Sequence, residues 1–315
     1  MSVALARREL ARIAPSRPTA VTIGVFDGVH RGHQHLIAGL RERAATEGLG
    51  TVAITFNPHP RTVLRPGFVI TYLTSLEERV ELLYGLGLDA VGVLAFTSEL
   101  AQISARDFVG LLCDELQMKL LVVGPDFALG RGREGTADVM KALGEEMGFR
   151  VEIAPMLREG EEKVGSTAVR EALSEGNVAR VRALLGRPFS LRGPVVKGDQ
   201  RGRNLGFPTA NIAIGLDRAL PAFGIYVTRA HVREATYESA TNIGIRPTFE
   251  VGPTPTVETF IMDFHGDIYG EEMTIELLER LRDEQKFASA QELVAQMRRD
   301  VESARTYFQA EDAGR

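Results

Sequence analysis

One cysteine in 315 residues leaves Cys113 without a partner for an internal disulfide or a companion thiolate for a metal site. Its surroundings, FVGLLC, have the apolar helical texture of ordinary core. Long apolar runs are lacking too. The longest, Ala90 to Phe96 (AVGVLAF), falls far short of the roughly 18 residues a membrane span needs, so no membrane association is expected. A basic excess is also missing: 37 Lys and Arg against 42 Asp and Glu give a net charge of −5, and both halves of the chain are slightly acidic. Nucleic acid is therefore demoted as the main partner, because phosphate neutralisation by Lys and Arg supplies most non-specific affinity. The opening segment, MSVALARRELARIAP, places arginines in its apolar stretch and has no h-region followed by a small-residue cleavage site, which reads as an unprocessed cytoplasmic protein. Internal repeats and low-complexity tracts are absent. What is there, 44% hydrophobic and 25% charged residues, is the composition of a soluble globular protein, long enough for two domains at roughly 150 residues each.

From Ala20 to Pro155 short β-branched runs alternate with helical patterns. The strands are read at 21–26, 51–56, 90–96, 119–124 and 150–155, the helices near 33–46, 76–86, 104–116 and 136–147. Near-continuous apolar strands between helices predict a doubly wound α/β domain with a parallel sheet covered on both faces. Helices follow at 166–175 and 177–185, before the turn-rich GRPFSLRGP (186–194). After it, short strand-like runs (PVVKG, FGIYVTRAHV, SATNIGI, TVETFIMDF, EMTIELLERL) predict a compact antiparallel barrel, closed by an amphipathic helix over about 289–308, with the tail QAEDAGR expected to fray. The domains are placed at 1–185 and 186–315.

The first strand runs into Gly24-Val25-Phe26-Asp27-Gly28-Val29-His30-Arg31-Gly32-His33. A glycine-rich turn entering a helix at the carboxyl end of a parallel strand offers backbone N–H groups and the helix dipole to an anion. Neither a Walker A loop nor G-x-G-x-x-G is present. His30 and His33, three apart in a first helical turn, can converge where charge develops, and Gly32 leaves room for a phosphate or an adenine. Transfer at the α-phosphorus of ATP asks mainly for such positioning and charge stabilisation. Two other readings stay open: zinc held with His35, and plain polar residues of an exposed helix start. Further segments reach the same rim of strand ends: Asn57-Pro58-His59 after the second strand, Asp126-Phe127 with GRGREG after the fourth, and Ser166-Thr167 with Arg170 ahead of a late helix. Ser166 and Thr167 can cap that helix or, with Arg170, grip a triphosphate.

The order GVFDGVHRGHQHL, TFNPHP, VVGPDFALGRGREG and STAVREAL strongly resembles the adenylyltransferase half of the prokaryotic bifunctional FAD synthetases, members of the H-x-G-H nucleotidyltransferases. The resemblance implies that this half joins FMN to AMP from ATP and releases pyrophosphate. It implies ATP contacts from Gly24, Phe26, Asp27, Gly28, His30 and His33, phosphate contacts from Ser166, Thr167 and Arg170, and a flavin and phosphate side made by Asn57, His59, Asp126 and Phe127. The chain departs from the family's Ser-Ser-Thr with Gly165-Ser166-Thr167, for which altered affinity rather than lost activity is expected.

The barrel region opens with a loop containing Gly198, Arg201, Gly202, Gly206, Pro208, Thr209 and Asn211. Its glycines and arginines suit phosphates, and Thr209 and Asn211 are oxygen donors of the kind Mg2+ accepts; an ordinary mobile basic loop is the alternative. Together with NIGIRPTF, VETFIMDF, DIYG and LRDEQKF, this loop looks like riboflavin kinase, the C-terminal half of the same bifunctional enzymes. A phosphorylated hydroxyl needs a proton acceptor, and Glu258 is the candidate base, sharing a strand face with Phe260 and Met262; a solvated edge-strand carboxylate is the other reading. By resemblance, Arg282 closes over the flavin, and Phe260 replaces a frequent His. The expected enzyme converts riboflavin to FMN and FMN to FAD, with ATP as co-substrate and Mg2+ as cofactor. Three rivals are a nucleotidyltransferase for another phosphate ester with an unrelated barrel, a nucleic-acid-binding barrel, and a flavin-sensing regulator without catalysis. The paired motifs, the acidic barrel half and the joint presence of His30, His33, Thr209, Asn211 and Glu258 weigh against them.

Overall fold

The computed structural model describes residues 2–160, 162–198, 206–246 and 254–313. They fall into two compact units, Met1–Ser166 and Thr167–Arg315.

In the first unit, α1 (Ser2–Ala11) leads into β1 (Thr19–Ile23), α2 (Arg31–Glu47), β2 (Gly50–Asn57), α3 (Pro60–Leu64), α4 (Leu76–Gly85) and β3 (Ala90–Ala95). Then come α5 (Ala105–Leu116), β4 (Met118–Val123), the two-residue β5 (Ala128–Leu129) and β6 (Gly135–Thr136), α6 (Ala137–Met147) and β7 (Arg150–Ile153). The small hairpin β8 (Arg158–Glu159) and β9 (Glu162–Lys163) ends the unit. Five strands pair in parallel in the order β3-β2-β1-β4-β7. Alternate residues serve two cores: Val21, Ile23, Val52, Ile54, Leu121 and Val123 meet Leu10, Leu112 and Met140 on one face. Ala20, Ala53, Leu120 and Val122 meet Ile37, Leu40 and Leu83 on the other. Burial on both faces is why these strands read as continuous apolar runs. The chain moves outward from β1 to β3 and returns to β4 on the far side of β1, so the sheet reverses between β1 and β4, the crevice where open α/β sheets bind ligands.

Helix α7 (Ser166–Ser174) begins on the last residue of the first unit; in the second unit it and α8 (Val178–Leu185) precede β10 (Phe189–Val196), β11 (Ala210–Ile212), β12 (Gly224–Val232), β13 (Ala235–Arg246), β14 (Thr254–Ile261) and β15 (Glu272–Arg282), followed by α9 (Ala290–Ala313). The strands close a barrel in the order β10-β11-β14-β13-β12-β15. Gly186, with φ of 74°, stops α8 as a left-handed cap. The turn-rich reading of 186–194 needs revision, since β10 begins at Phe189 and its buried residues alternate from there. The tail is likewise helical as far as Ala313. The division into units falls earlier than the sequence boundary at 185, because Ala222 N–H donates to the Leu173 carbonyl at 2.8 Å and α8 packs on β10 and β15.

The barrel interior carries a hydroxyl ladder. Thr228 Oγ1 lies 2.8 Å from both Ser239 Oγ and Thr241 Oγ1, and Thr241 Oγ1 lies 2.9 Å from Thr259 Oγ1. All four residues are fully buried, and each hydroxyl is hydrogen-bonded to a neighbouring one. On the opposite strand face, Val227, Ala240, Phe260 and Met262 pack beneath Ala304 and Phe308 of α9.

Candidate active sites

The turn after β1 is held in a conformation that L-residues rarely adopt. Phe26 (φ 53°), Gly28 (φ 79°) and Val29 (φ 40°) all occupy the left-handed region, at about 1–3 kcal/mol for a side-chain-bearing residue. Buried hydrogen bonds impose it. Both carboxylate oxygens of Asp27 accept from Leu73 N–H (3.0 and 3.2 Å), and one also accepts from Thr74 N–H at 3.2 Å. Gly28 N–H donates to Thr74 Oγ1 at 3.1 Å, and Ser166 Oγ donates to the Asp27 carbonyl at 2.9 Å. The Asp27 side chain is thus turned into the protein to brace the turn.

His30 caps α2. Its Nδ1 accepts the His33 backbone N–H at 3.3 Å, which puts its own proton on Nε2 and leaves that nitrogen a donor. The His33 ring stacks on it at 3.6 Å between centroids and meets the edge of Phe26 at 5.1 Å. Burial pushes the His33 pKa well below the usual histidine value, helped by His30 and by the Arg79 cation. Gly32 is a steric necessity here: a Cβ would stand 2.9 Å from the Val164 carbonyl oxygen and 3.0 Å from His30 Nδ1. At Gly165, where the family pattern has Ser, a Cβ would meet nothing within 4 Å.

Asn57 ends β2, exposed. His59 caps α3 through Nδ1, which accepts Arg61 N–H at 3.0 Å, while its own N–H donates to Tyr72 Oη at 2.8 Å. His59 and Asp27 are therefore both bonded to the 72–74 segment. Asp126 follows β4 at the surface, paired with Lys163, and Phe127 packs against the core. Thr167 and Arg170 continue along α7, Arg170 four residues after Ser166 and so on its face of the helix.

In the barrel, register places three polar side chains abreast: Asn211 of β11 and Asn242 of β13 each stand directly opposite Glu258 of β14. Opposed residues share a sheet face with Cβ atoms about 4.5–5.5 Å apart. Gly198 lies so close to Asn211 that a Cβ would come within 2.4 Å of its amide nitrogen. Phe207 meets Phe260 edge-on at 5.3 Å. Thr209 is half-buried, with Gly206 and Pro208 exposed beside it. Arg201 and Gly202 lie outside the described residues. Arg282, at the end of β15, makes a two-pronged pair with Asp300 at 2.8 and 2.6 Å.

Two residues escaped the sequence reading. Arg79 of α4 is 1% exposed and reaches the Phe56 carbonyl. Asn242 has its Oδ1 buried without a hydrogen-bond partner among the described residues. The first sits in a charge-rich helix, LEERVELLYG, that looks solvent-facing. The second sits in the quoted NIGIRPTF motif, where its alternation with buried Thr241 and Ile243 was the available signal.

Two family models match the chain in succession, FAD synthetase over residues 13–168 and riboflavin kinase over 185–308. A bifunctional riboflavin kinase/FMN adenylyltransferase of Escherichia coli K12 is 38% identical, over 94% of this chain and 94% of its own. One of the same description from Listeria monocytogenes is 35% identical, over 91% of this chain and 92% of its own. A solved Streptococcus pneumoniae structure, titled a macrolide-efflux protein, superposes with a TM-score of 0.86 at 33% identity, over 94% of this chain and 96% of that one. No helix of the described residues is long and apolar enough to cross a membrane.

Proposed function

The chain belongs to the bifunctional riboflavin kinase/FMN adenylyltransferase family, and from that premise we propose how its residues divide the two reactions. The enzyme phosphorylates riboflavin to FMN with ATP in the barrel, and transfers AMP from ATP to FMN in the α/β unit, giving FAD and pyrophosphate. The observation that carries the assignment of the second reaction is the stacked His30 and His33 pair at a helix N-terminus, beside the sheet's reversal point.

In adenylyl transfer, an FMN phosphate oxygen attacks the α-phosphorus of ATP, and the bond to the β-phosphate oxygen breaks. His30 donates from Nε2 to the charge that grows on the α-phosphate oxygens. His33, kept neutral, supports it without adding a competing proton equilibrium at neutral pH. The backbone of Gly24, Phe26 and Gly28 receives the nucleotide, while Asp27 shapes the turn through its bonds to Leu73 and Thr74. From their sequence motif, Ser166, Thr167 and Arg170 are assigned to ATP phosphates, and Asn57, His59, Asp126 and Phe127 to FMN.

In the kinase reaction, Glu258 takes the proton of the ribityl 5'-hydroxyl as that oxygen attacks the γ-phosphorus. Thr209 and Asn211 fit Mg2+ as hard oxygen donors, and the bare Cα of Gly198 leaves the Asn211 amide the room it occupies. Mg2+ bound there would neutralise charge on the transferring phosphate. Gly198, Gly206, Pro208, Arg201 and Gly202 are assigned to ATP and Arg282 to the flavin. The site of work is proposed as the cytoplasm. Incubation of the purified protein with riboflavin, ATP and Mg2+, followed by chromatographic separation of flavins, is expected to yield FMN first and FAD after it. Conversion of FMN to FAD without any phosphorylation of riboflavin would overturn the kinase half.

A further inference from the structure

Burying a guanidinium in a protein interior is costly unless its surroundings repay it, and Arg79 is among the largest fully buried side chains of the molecule. Its position is specific. From α4 the Nη1 group donates to the Phe56 carbonyl at 3.2 Å and to Thr55 Oγ1 at 3.4 Å, and Cζ stands 5.6 Å from the centre of the Tyr72 ring. Each of these contacts leads to a different wall of the adenylyltransferase site. Thr55 Oγ1 in turn donates a hydrogen bond to the Val25 carbonyl at 2.9 Å, inside the turn assigned to the nucleotide. The Phe56 carbonyl is the last backbone acceptor before Asn57. Tyr72 Oη receives the His59 backbone N–H at 2.8 Å, and the next two residues, Leu73 and Thr74, hold Asp27.

We propose that Arg79 is a positioning residue of FAD formation: its guanidinium clamps the nucleotide turn through Thr55 and the FMN-side segment through Phe56 and Tyr72, so that one buried group sets the distance between the two substrates. The inference rests on the adenylyltransferase reading of this unit and deepens it. Arg79 touches neither substrate. Its geometric role is joined by an electrostatic one, since its charge acts on His33, whose ring also stacks on His30 and meets Phe26 edge to face. A permanent cation whose field reaches His33 opposes protonation of that ring.

The test uses the full-length chain, whose riboflavin phosphorylation reports that the protein is folded and active elsewhere. Arg79→Met removes both clamp and charge, and Arg79→Lys keeps the charge but loses the planar fork. In Arg79→Met, kcat/KM for FAD formation is expected to fall about 100-fold, the scale of a misplacement of about 1 Å, with KM raised for ATP and for FMN together. Its acid limb moves to higher pH, because His33 without the cation binds a proton more readily. Arg79→Lys is expected to raise both KM values several-fold with the acid limb unmoved. Thr55→Val, nearly equal in volume, cuts only the relay to Val25 and is expected to raise KM for ATP alone. Should Arg79→Met fail to fold, Arg79→Lys and Thr55→Val decide. Wild-type KM values in those two variants, or an unmoved acid limb and unchanged kinetics in folded Arg79→Met, would overturn the role of Arg79. Failure of the wild-type protein to form FAD from FMN and ATP would instead overturn the reading on which it rests.

Discussion

Gly32→Ala separates folding from catalysis with one methyl group. Inside a helix this change ordinarily stabilises a protein by about 0.5–1 kcal/mol, by reducing the freedom of the unfolded chain. At Gly32 the new Cβ would lie 2.9 Å from the Val164 carbonyl oxygen, 3.0 Å from His30 Nδ1 and 3.1 Å from His30 Cε1. Comfortable non-bonded contacts begin at about 3.5 Å, so the neighbours must give way by about half an ångström. Val164 is buried and tied to Leu157 through its N–H at 3.2 Å, which makes the His30 ring the partner that moves. Its displacement breaks the bond from His33 N–H to Nδ1 and re-aims Nε2. An overpacking cost of about 1–3 kcal/mol, set against the helix gain, leaves the unit folded. Loss of one preorganised donor costs about 10²–10³ in rate. The expected outcome is a fall of at least about 10² in FAD formation from supplied FMN, with a thermal melt close to wild type and riboflavin phosphorylation untouched. Initial rates of both reactions, followed by flavin chromatography beside a circular-dichroism melt, provide the check. A folded Gly32→Ala protein that makes FAD at the wild-type rate would refute the argument that His30 must stand where it does.

Glu258→Gln keeps volume and most hydrogen bonding but cannot accept the ribityl proton, so single-turnover phosphorylation should slow by about 10²–10⁴ while riboflavin affinity, measured by titration, stays near wild type. Thr241→Val removes the middle rung between Thr228 and Thr259 and leaves buried hydroxyls short of a partner, at about 1–3 kcal/mol of barrel stability by denaturant titration. Because burial lowers the His33 pKa below the ordinary value of about 6.5, the pH profile of FAD formation should remain flat through that value and fall only at lower pH. The same shift makes the unfolded chain the stronger proton binder, so the first unit loses stability as pH drops below about 6.5.

The α/β sheet was legible because its strands are buried on both faces and therefore spell unbroken apolar runs, as in TVAITF. Helix α1 was not: Ala6 and Leu10 pack inward, but the arginines between them mask the stripe in so short a segment. At the active turn, glycines and histidines announced an anion site, yet nothing in the letters says whether Asp27 points at a ligand or, as it does, at the Leu73 and Thr74 amides 46 and 47 residues away. Arg79 was invisible for a related reason, since its helix carries Glu77, Glu78 and Glu81 and only its packing under β2 reveals which charge is buried. The alternation of TVETFIMDF did separate Glu258 from Val257, Thr259 and Ile261, all three of which lie buried on the opposite face. Its neighbours Asn211 and Asn242 come from distant strands and needed the barrel register.

Isotope tracing tests the two-reaction account most directly. Riboflavin is incubated with the enzyme and ATP labelled with 32P at either the γ- or the α-position, and the flavins are separated. The account predicts γ-label in FMN and its retention in FAD, with α-label entering FAD and never FMN. Absence of γ-label from FMN, or of α-label from FAD, would contradict it.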